Sequence, residues 1–140
     1  MKKIIALLVI FSSFSFAQQT ETFVYKLEQA KKEHKKILLY FSGSDWCAPC
    51  IKFKKFIIQT EEFQAFAKKE LIIYNADFPR QSKNKLAKEV EKENEVLAEK
   101  YNSKGLFPLI IILNEEGKVI KKWEEYPKET LSEFIEKLKS

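Results

Sequence analysis

The chain is 140 residues long, with 25 lysines and arginines against 20 acids, one histidine and two cysteines, for a formal charge of +5. That length fits one compact domain and leaves none over for a second. Two cysteines are one pair and not a disulfide framework, and charges that alternate in sign, as in Lys88-Glu89-Val90-Glu91-Lys92, are the pattern of a solvated helix face and not of a nucleic-acid surface.

Lys2 and Lys3 lead into an apolar run that reaches Phe16, with the small residues Ser15 and Ala17 at its end. This is the form of a bacterial secretory signal, with an uncleaved anchor as the alternative. The run is shorter than the ~20 residues a membrane-spanning helix needs, and serines break it. The expected organisation is a signal peptide over residues 1–17 and one soluble domain over residues 18–140, in the periplasm or exported. No cysteine follows Ala17 to carry a lipid.

Phe23, Leu27 and Ala30 recur at helical spacing, so a helix is expected over Thr22–His34, with Thr20 or Thr22 as its cap and His34 as a bland cation in its last turn. Ile37-Leu38-Leu39-Tyr40-Phe41 is too short and too apolar for anything but a strand buried on both faces. Gly43 turns the chain out of it. A helix should run from about Cys47 through Phe53 to Ile57, and Thr60 should cap a second one carrying Glu61 and Glu62 in its first turn. Leu71-Ile72-Ile73-Tyr74 is a second strand reaching toward Asp77, and Pro79 marks a loop. The spacing predicts a charged helix over 83–101 that buries Leu86, Val90, Leu97 and Tyr101. Leu109 to Leu113 is a third strand. Asn114-Glu115-Glu116-Gly117 turns it into an edge strand over 118–123, Gly117 taking positive φ, and a last helix over 128–139 buries Leu131, Phe134, Ile135 and Leu138. The order of elements implies an α/β fold, a central mixed β-sheet flanked by helices on both faces.

The two cysteines sit in Ser44-Asp45-Trp46-Cys47-Ala48-Pro49-Cys50, where a strand gives way to a helix. A structural metal site needs four ligands, and the chain offers two cysteines and one distant histidine. A staple closing about four residues would remove only about 2 kcal/mol of unfolded-state entropy. Redox exchange accounts for the spacing best. A helix N-terminus favours an ionised, exposed sulfur at Cys47, one turn places Cys50 within reach to resolve a mixed disulfide, and Pro49 suits the first turn. Asp45 works against the Cys47 thiolate, as an acid two residues away.

At these residues the chain resembles the thioredoxin superfamily. Trp46-Cys47-Ala48-Pro49-Cys50 after a buried strand matches its Trp-Cys-x-x-Cys site, and Gly105-Leu106-Phe107-Pro108 matches its Gly-x-x-Pro segment. The resemblance implies a thioredoxin fold, a cis Pro108 beside the dithiol, and a Phe107 backbone that pairs with an extended substrate. It makes Cys47 and Cys50 the catalytic pair, with Trp46, Ala48, Pro49, Phe107 and Pro108 in support. The opening helix with Gly43-Ser44-Asp45-Trp46 resembles exported bacterial thioredoxin-like proteins. Cys50-Ile51-Lys52-Phe53 is similar to the C-terminal domain of thiol:disulfide interchange reductases.

Three features depart from that family. Tyr40 and Phe41 stand where thioredoxins carry a buried acid, Ala-Pro replaces Gly-Pro between the cysteines, and Phe107 is bulkier than the usual residue before the cis proline. The expected activity is thiol-disulfide exchange with extracytoplasmic proteins, in the reducing direction. The cofactor is none beyond the redox-active pair, and no metal is called for. Expected partners are protein thiols and disulfides and a redox partner, with a membrane-embedded carrier as a candidate, that regenerates the dithiol, with no nucleic acid, for a monomer. A polypeptide-binding module that keeps the fold without turnover is the alternative.

Overall fold

The computed structural model describes residues 22–140. The segment read as a signal peptide, and Thr20, lie outside them.

The first strand β1 (Lys36–Ser42) is the centre of the molecule, because Ile37 to Phe41 have no polar face to turn to water and all five are buried. It pairs in parallel with β2 (Leu71–Asp77) on one side and antiparallel with β3 (Leu109–Leu113) on the other. The edge strand β4 (Val119–Trp123) pairs antiparallel with β3, which gives the order β2-β1-β3-β4. A register shift between Ile112 and Leu113 leaves Ile120 without a partner in that pairing, and β4 starts one residue later than the sequence pattern predicts. Gly117 turns the chain into β4 at φ 78°, a conformation that only glycine adopts without strain.

Alternate residues of β1 feed two apolar layers. Leu38 and Tyr40 face the side on which Phe53, Ile57, Phe63 and Phe134 pack, whereas Ile37, Leu39 and Phe41 face Phe23, Ala30 and Leu97. The first layer is covered by α2 (Ala48–Phe53), α3 (Glu61–Glu70) and α5 (Leu131–Lys139), the second by α1 (Phe23–Glu33) and α4 (Lys88–Tyr101). Helices therefore cover both faces of a mixed sheet, as expected.

The helix ends follow their caps. Thr22 accepts from Tyr25 N at 3.2 Å, so it and not a more distant residue starts α1. His34 closes that helix in the left-handed region at φ 52°, with Nδ1 3.4 Å from Glu115 Oε2. Thr60 caps α3 with Glu61 and Glu62 in the first turn, as predicted. Thr130 and Glu133 form a reciprocal capping box, which sets the start of α5 at Leu131 and leaves Lys128 outside it.

Two helices differ from expectation. Beyond Phe53 the backbone widens into a π-type turn over Lys54–Ile58, closed by Gln59 N donating to Lys54 O at 2.9 Å. This turn buries Ile57 and Ile58 side by side and leaves Phe56 exposed. The helix expected over 83–101 begins only at Lys88, after a short 3₁₀ turn at Ser82–Asn84. Leu86 and Val90 are consequently only half-buried, and Asn94 lies in the interior. Its amide donates to Asp77 O at 3.0 Å and its carbonyl accepts from the Tyr74 hydroxyl at 3.1 Å, so a buried polar side chain is satisfied where pattern reading looks for an apolar one.

Candidate functional site

The dithiol forms where β1 ends and α2 begins. Cys47 adopts an extended conformation (φ −95°, ψ 97°) and is the N-cap of α2, with Ala48 and Pro49 as the exposed first turn. Pro49 has no N–H to lose there. Cys50 follows one turn later, and the two sulfurs are joined in a disulfide with S–S 2.07 Å and Cα–Cα 5.2 Å. Cys47 Sγ also accepts from Cys50 N at 3.3 Å, so the sulfur occupies the place a capping oxygen usually takes.

The expectation of an open sulfur needs correction. In this oxidised state Cys47 is 5% exposed and Cys50 2%. Cys47 is covered because its sulfur turns inward, both to bond Cys50 and to cap the helix. The two differ in position: Cys50 lies inside α2 and Cys47 at its N-cap.

Trp46 is clamped beside the pair. Its indole Nε1 donates to Phe78 O at 2.7 Å, and its ring meets the Phe107 ring edge-on with centroids 5.2 Å apart. The indole also lies on Gly43, where a Cβ would stand 2.1 Å from Trp46 Cε2. Glycine is required here by close approach. Arg80 Cζ lies 3.9 Å from the centroid of the Trp46 ring. Phe78 closes the cluster against Phe107, with centroids 5.6 Å apart.

Phe107 is the residue before a cis Pro108, so the Trp46–Phe107 contact brings the two matched sequence segments together. Asn102 holds the turn that leads there, its side chain donating to Leu106 O at 2.9 Å and accepting from Leu106 N at 2.8 Å, while Gly105 takes φ 66°. All seven residues singled out from the sequence, namely Trp46, Cys47, Ala48, Pro49, Cys50, Phe107 and Pro108, lie on these two adjoining segments.

Asp45 does something the sequence does not reveal. Its carboxylate accepts from Arg80 N at 2.9 Å, Gln81 N at 2.9 Å and Asn84 Nδ2 at 3.0 Å, and so pins the loop after β2 against the motif. The Arg80 N–H and the Asn84 amide hold the carboxyl below the usual carboxylate range, against the opposing effect of lost hydration. These donors are neutral, so Asp45 keeps its negative charge beside the motif while it anchors the loop. Asp77 is engaged in the same manner: it accepts from Ser44 N at 2.9 Å, Ser44 Oγ at 2.5 Å and Ser42 Oγ at 3.0 Å.

Behind Cys50 lies a cavity of about 390 Å³, lined by Tyr40, Ser42, Ser44 and Asn75 on one side and by Lys54 and Lys55 on the other. Burial, helped by the negative charge of Asp77, pushes the Tyr40 hydroxyl up to about 12. Tyr40 is thus a neutral hydroxyl at ordinary pH, lining the cavity beside Cys50. Among the described residues no cluster of three or more histidines, cysteines and acids is placed to hold a metal ion.

Residues 23–139 match the model of a thioredoxin-like domain. The chain belongs to the thioredoxin-like family. It is 40% identical over 100 residues to a disulfide bond reductase, DsbH, of Chlamydia pneumoniae, covering 71% of this chain and 58% of that protein. The chain therefore spans less than two thirds of that relative's length. A solved structure of a DsbH oxidoreductase is 34% identical, with a TM-score of 0.76 and coverage of 85% of this chain and 80% of that one. The oxidised C-terminal domain of DsbD from Neisseria meningitidis has a TM-score of 0.55 at 18% identity, covering 83% of this chain and 89% of that one, a likeness of fold.

Proposed function

We propose that the protein is an exported thiol-disulfide oxidoreductase that reduces disulfides of extracytoplasmic proteins. The observation that carries this reading is the position of Cys47: a sulfur at the N-cap of α2, hydrogen-bonded by Cys50 N, with its redox partner one turn away. In the reduced protein the same N–H and the helix terminus favour the Cys47 thiolate.

The thiolate attacks one sulfur of a substrate disulfide. A bond forms between Cys47 and that sulfur, the substrate S–S bond breaks, and the other substrate sulfur leaves as a thiolate that takes up a proton. Cys50 then loses its proton and attacks Cys47 Sγ, which releases the second substrate thiol. The substrate gains two electrons and the protein is left in the disulfide form described here. The pair itself carries the electrons, so no bound cofactor or metal enters the scheme. Regeneration requires a donor of two electrons, for which a membrane-embedded carrier is the fitting class for a monomer exported by a signal over residues 1–17. In this scheme Trp46 and Phe107, whose rings are in contact, form the apolar wall against which the substrate chain lies, and the backbone of Phe107 pairs with it.

Likeness to a protein named a disulfide bond reductase supports the reducing direction. Turnover of a protein disulfide by wild type, Cys47→Ser and Cys50→Ser tests the scheme. Both variants should lose turnover, and Cys50→Ser should trap a covalent adduct on Cys47. Equal inertness of all three with peptide binding intact would make the domain a binding module. A reduction potential near about −270 mV fits a reductase, and one near about −120 mV an oxidant.

A further inference from the structure

Two segments that flank the dithiol carry cations without acids. Residues 47–60 carry Lys52, Lys54 and Lys55 and no acid, and residues 78–85 carry Arg80, Lys83 and Lys85 and no acid. The expectation of charges interspersed everywhere fails on these two segments. The fold sets them on either side of the pair. Lys54 and Lys55 line the cavity behind Cys50, and Arg80 stacks on the Trp46 ring. All six cations are exposed.

The two acids that reach this rim, Asp45 and Asp77, are occupied by backbone N–H groups, serine hydroxyls and an amide. Among the described residues none of the six cations makes an ion pair. Away from the site Lys31 pairs with Glu28, Lys35 with Glu33, Lys122 with Glu124, Lys128 with Glu125 and Lys139 with Glu136, whereas Lys69, Lys92 and Lys118 make no ion pair among the described residues. Six exposed cations without an ion-pair partner thus lie on the two segments that flank the cysteines, against two acids at this rim. Arg80 is moreover held in place, because its own backbone N–H is one of the donors that fix its loop to Asp45.

We propose that this rim is a docking surface for acidic polypeptide segments that carry the disulfide to be exchanged. The inference rests on the oxidoreductase reading above and names the substrate class of the same site. Uncompensated charge beside a reactive group raises the local concentration of an oppositely charged substrate and its rate of encounter. A polyanion without sulfur, such as a nucleic acid or an anionic membrane, satisfies the charge but gives the dithiol nothing to exchange with. A polypeptide with aspartates or glutamates flanking a cystine satisfies both. Ile51, 46% exposed beside Cys50, adds an apolar contact for the neighbouring substrate side chain.

The test uses two disulfide-bridged peptides that differ only in having glutamate or glutamine beside the cysteines. Turnover is measured with wild type, with the triple variant Lys54→Gln/Lys55→Gln/Arg80→Gln, and with a distant triple variant, Lys31→Gln/Lys128→Gln/Lys139→Gln, that changes net charge equally. Wild type should prefer the glutamate peptide by about 10-fold in kcat/KM at low salt, through KM, falling toward parity at about 0.5 M salt as screening sets in. The rim variant should lose the preference and the distant variant keep it. A ratio near one in wild type, a ratio indifferent to salt, or equal loss in both variants would overturn the proposal.

Binding of the same peptides, read by tryptophan fluorescence, separates this proposal from the activity it rests on. Acid-preferring binding without turnover would refute the oxidoreductase reading and keep the docking surface, whereas turnover without acid preference would do the reverse. Displacement of the glutamate peptide by an oligonucleotide or by anionic vesicles at matched charge would overturn the polypeptide assignment.

Discussion

Gly43→Ala should be among the most damaging single-methyl changes available in this protein, and the structure says why. An alanine Cβ would lie 2.1, 2.4 and 2.5 Å from three atoms of the Trp46 indole, where carbon atoms in contact settle about 3.5–4.0 Å apart. The ring must therefore retreat by more than about 1 Å, but its other sides are taken up by Phe107, the Arg80 guanidinium and the Phe78 carbonyl. Movement of that size breaks the 2.7 Å hydrogen bond from Nε1 to Phe78 O, a loss of about 0.5–1.5 kcal/mol. Overpacking adds about 1–3 kcal/mol. The sum, about 1.5–4.5 kcal/mol, should be read by urea denaturation as a lower midpoint with an unchanged slope. Because Trp46 precedes Cys47, the native tryptophan emission should shift and kcat/KM for a protein disulfide should fall with it. A midpoint within about 0.5 kcal/mol of wild type, with unchanged emission and turnover, would refute the account of Gly43 as the seat of the indole.

Asp45→Asn should change acid stability with a defined sign. The carboxyl is held below its unfolded value of about 3.9, so its contribution is complete above that pH and is lost as pH falls through the folded value. Urea midpoints should differ between variant and wild type at pH 6 and converge toward about pH 2, and a gap unchanged with pH would contradict the bonding shown. Thr130→Ala removes one half of the capping box of α5 and should cost about 1 kcal/mol, read by thermal melting, with disulfide turnover unchanged at a temperature where both proteins are folded.

Much of the fold is legible without coordinates, because local patterns carry it. The Ile37–Phe41 run of β1 and the whole of β3 are short and apolar throughout, so burial on both faces is their only stable option, and Thr60 announces α3 by its own chemistry. The cysteine spacing and the Gly-x-x-Pro segment likewise mark the site from sequence. Pattern reading fails where a long-range partner decides the outcome. Asn94 is interior because Tyr74 and Asp77 O satisfy it, and α4 starts late because the chain before it is drawn to Asp45 through Arg80, Gln81 and Asn84. Nothing within a few residues of Asp45 signals that it is a loop anchor.

The order of strands and helices, the dithiol and its place at a helix start were thus determined by sequence alone, since periodicity, capping and turn chemistry act over a few residues. Tertiary structure decided the rest. It brought Phe107 onto Trp46, turned the Cys47 sulfur inward, tied Asp45 and Asp77 to distant donors, and left the cations of two remote segments without ion-pair partners around one pair of sulfurs. Those outcomes depend on which groups the sheet sets side by side across 30 or more intervening residues, and a charge or a ring carries no local mark of its future neighbour.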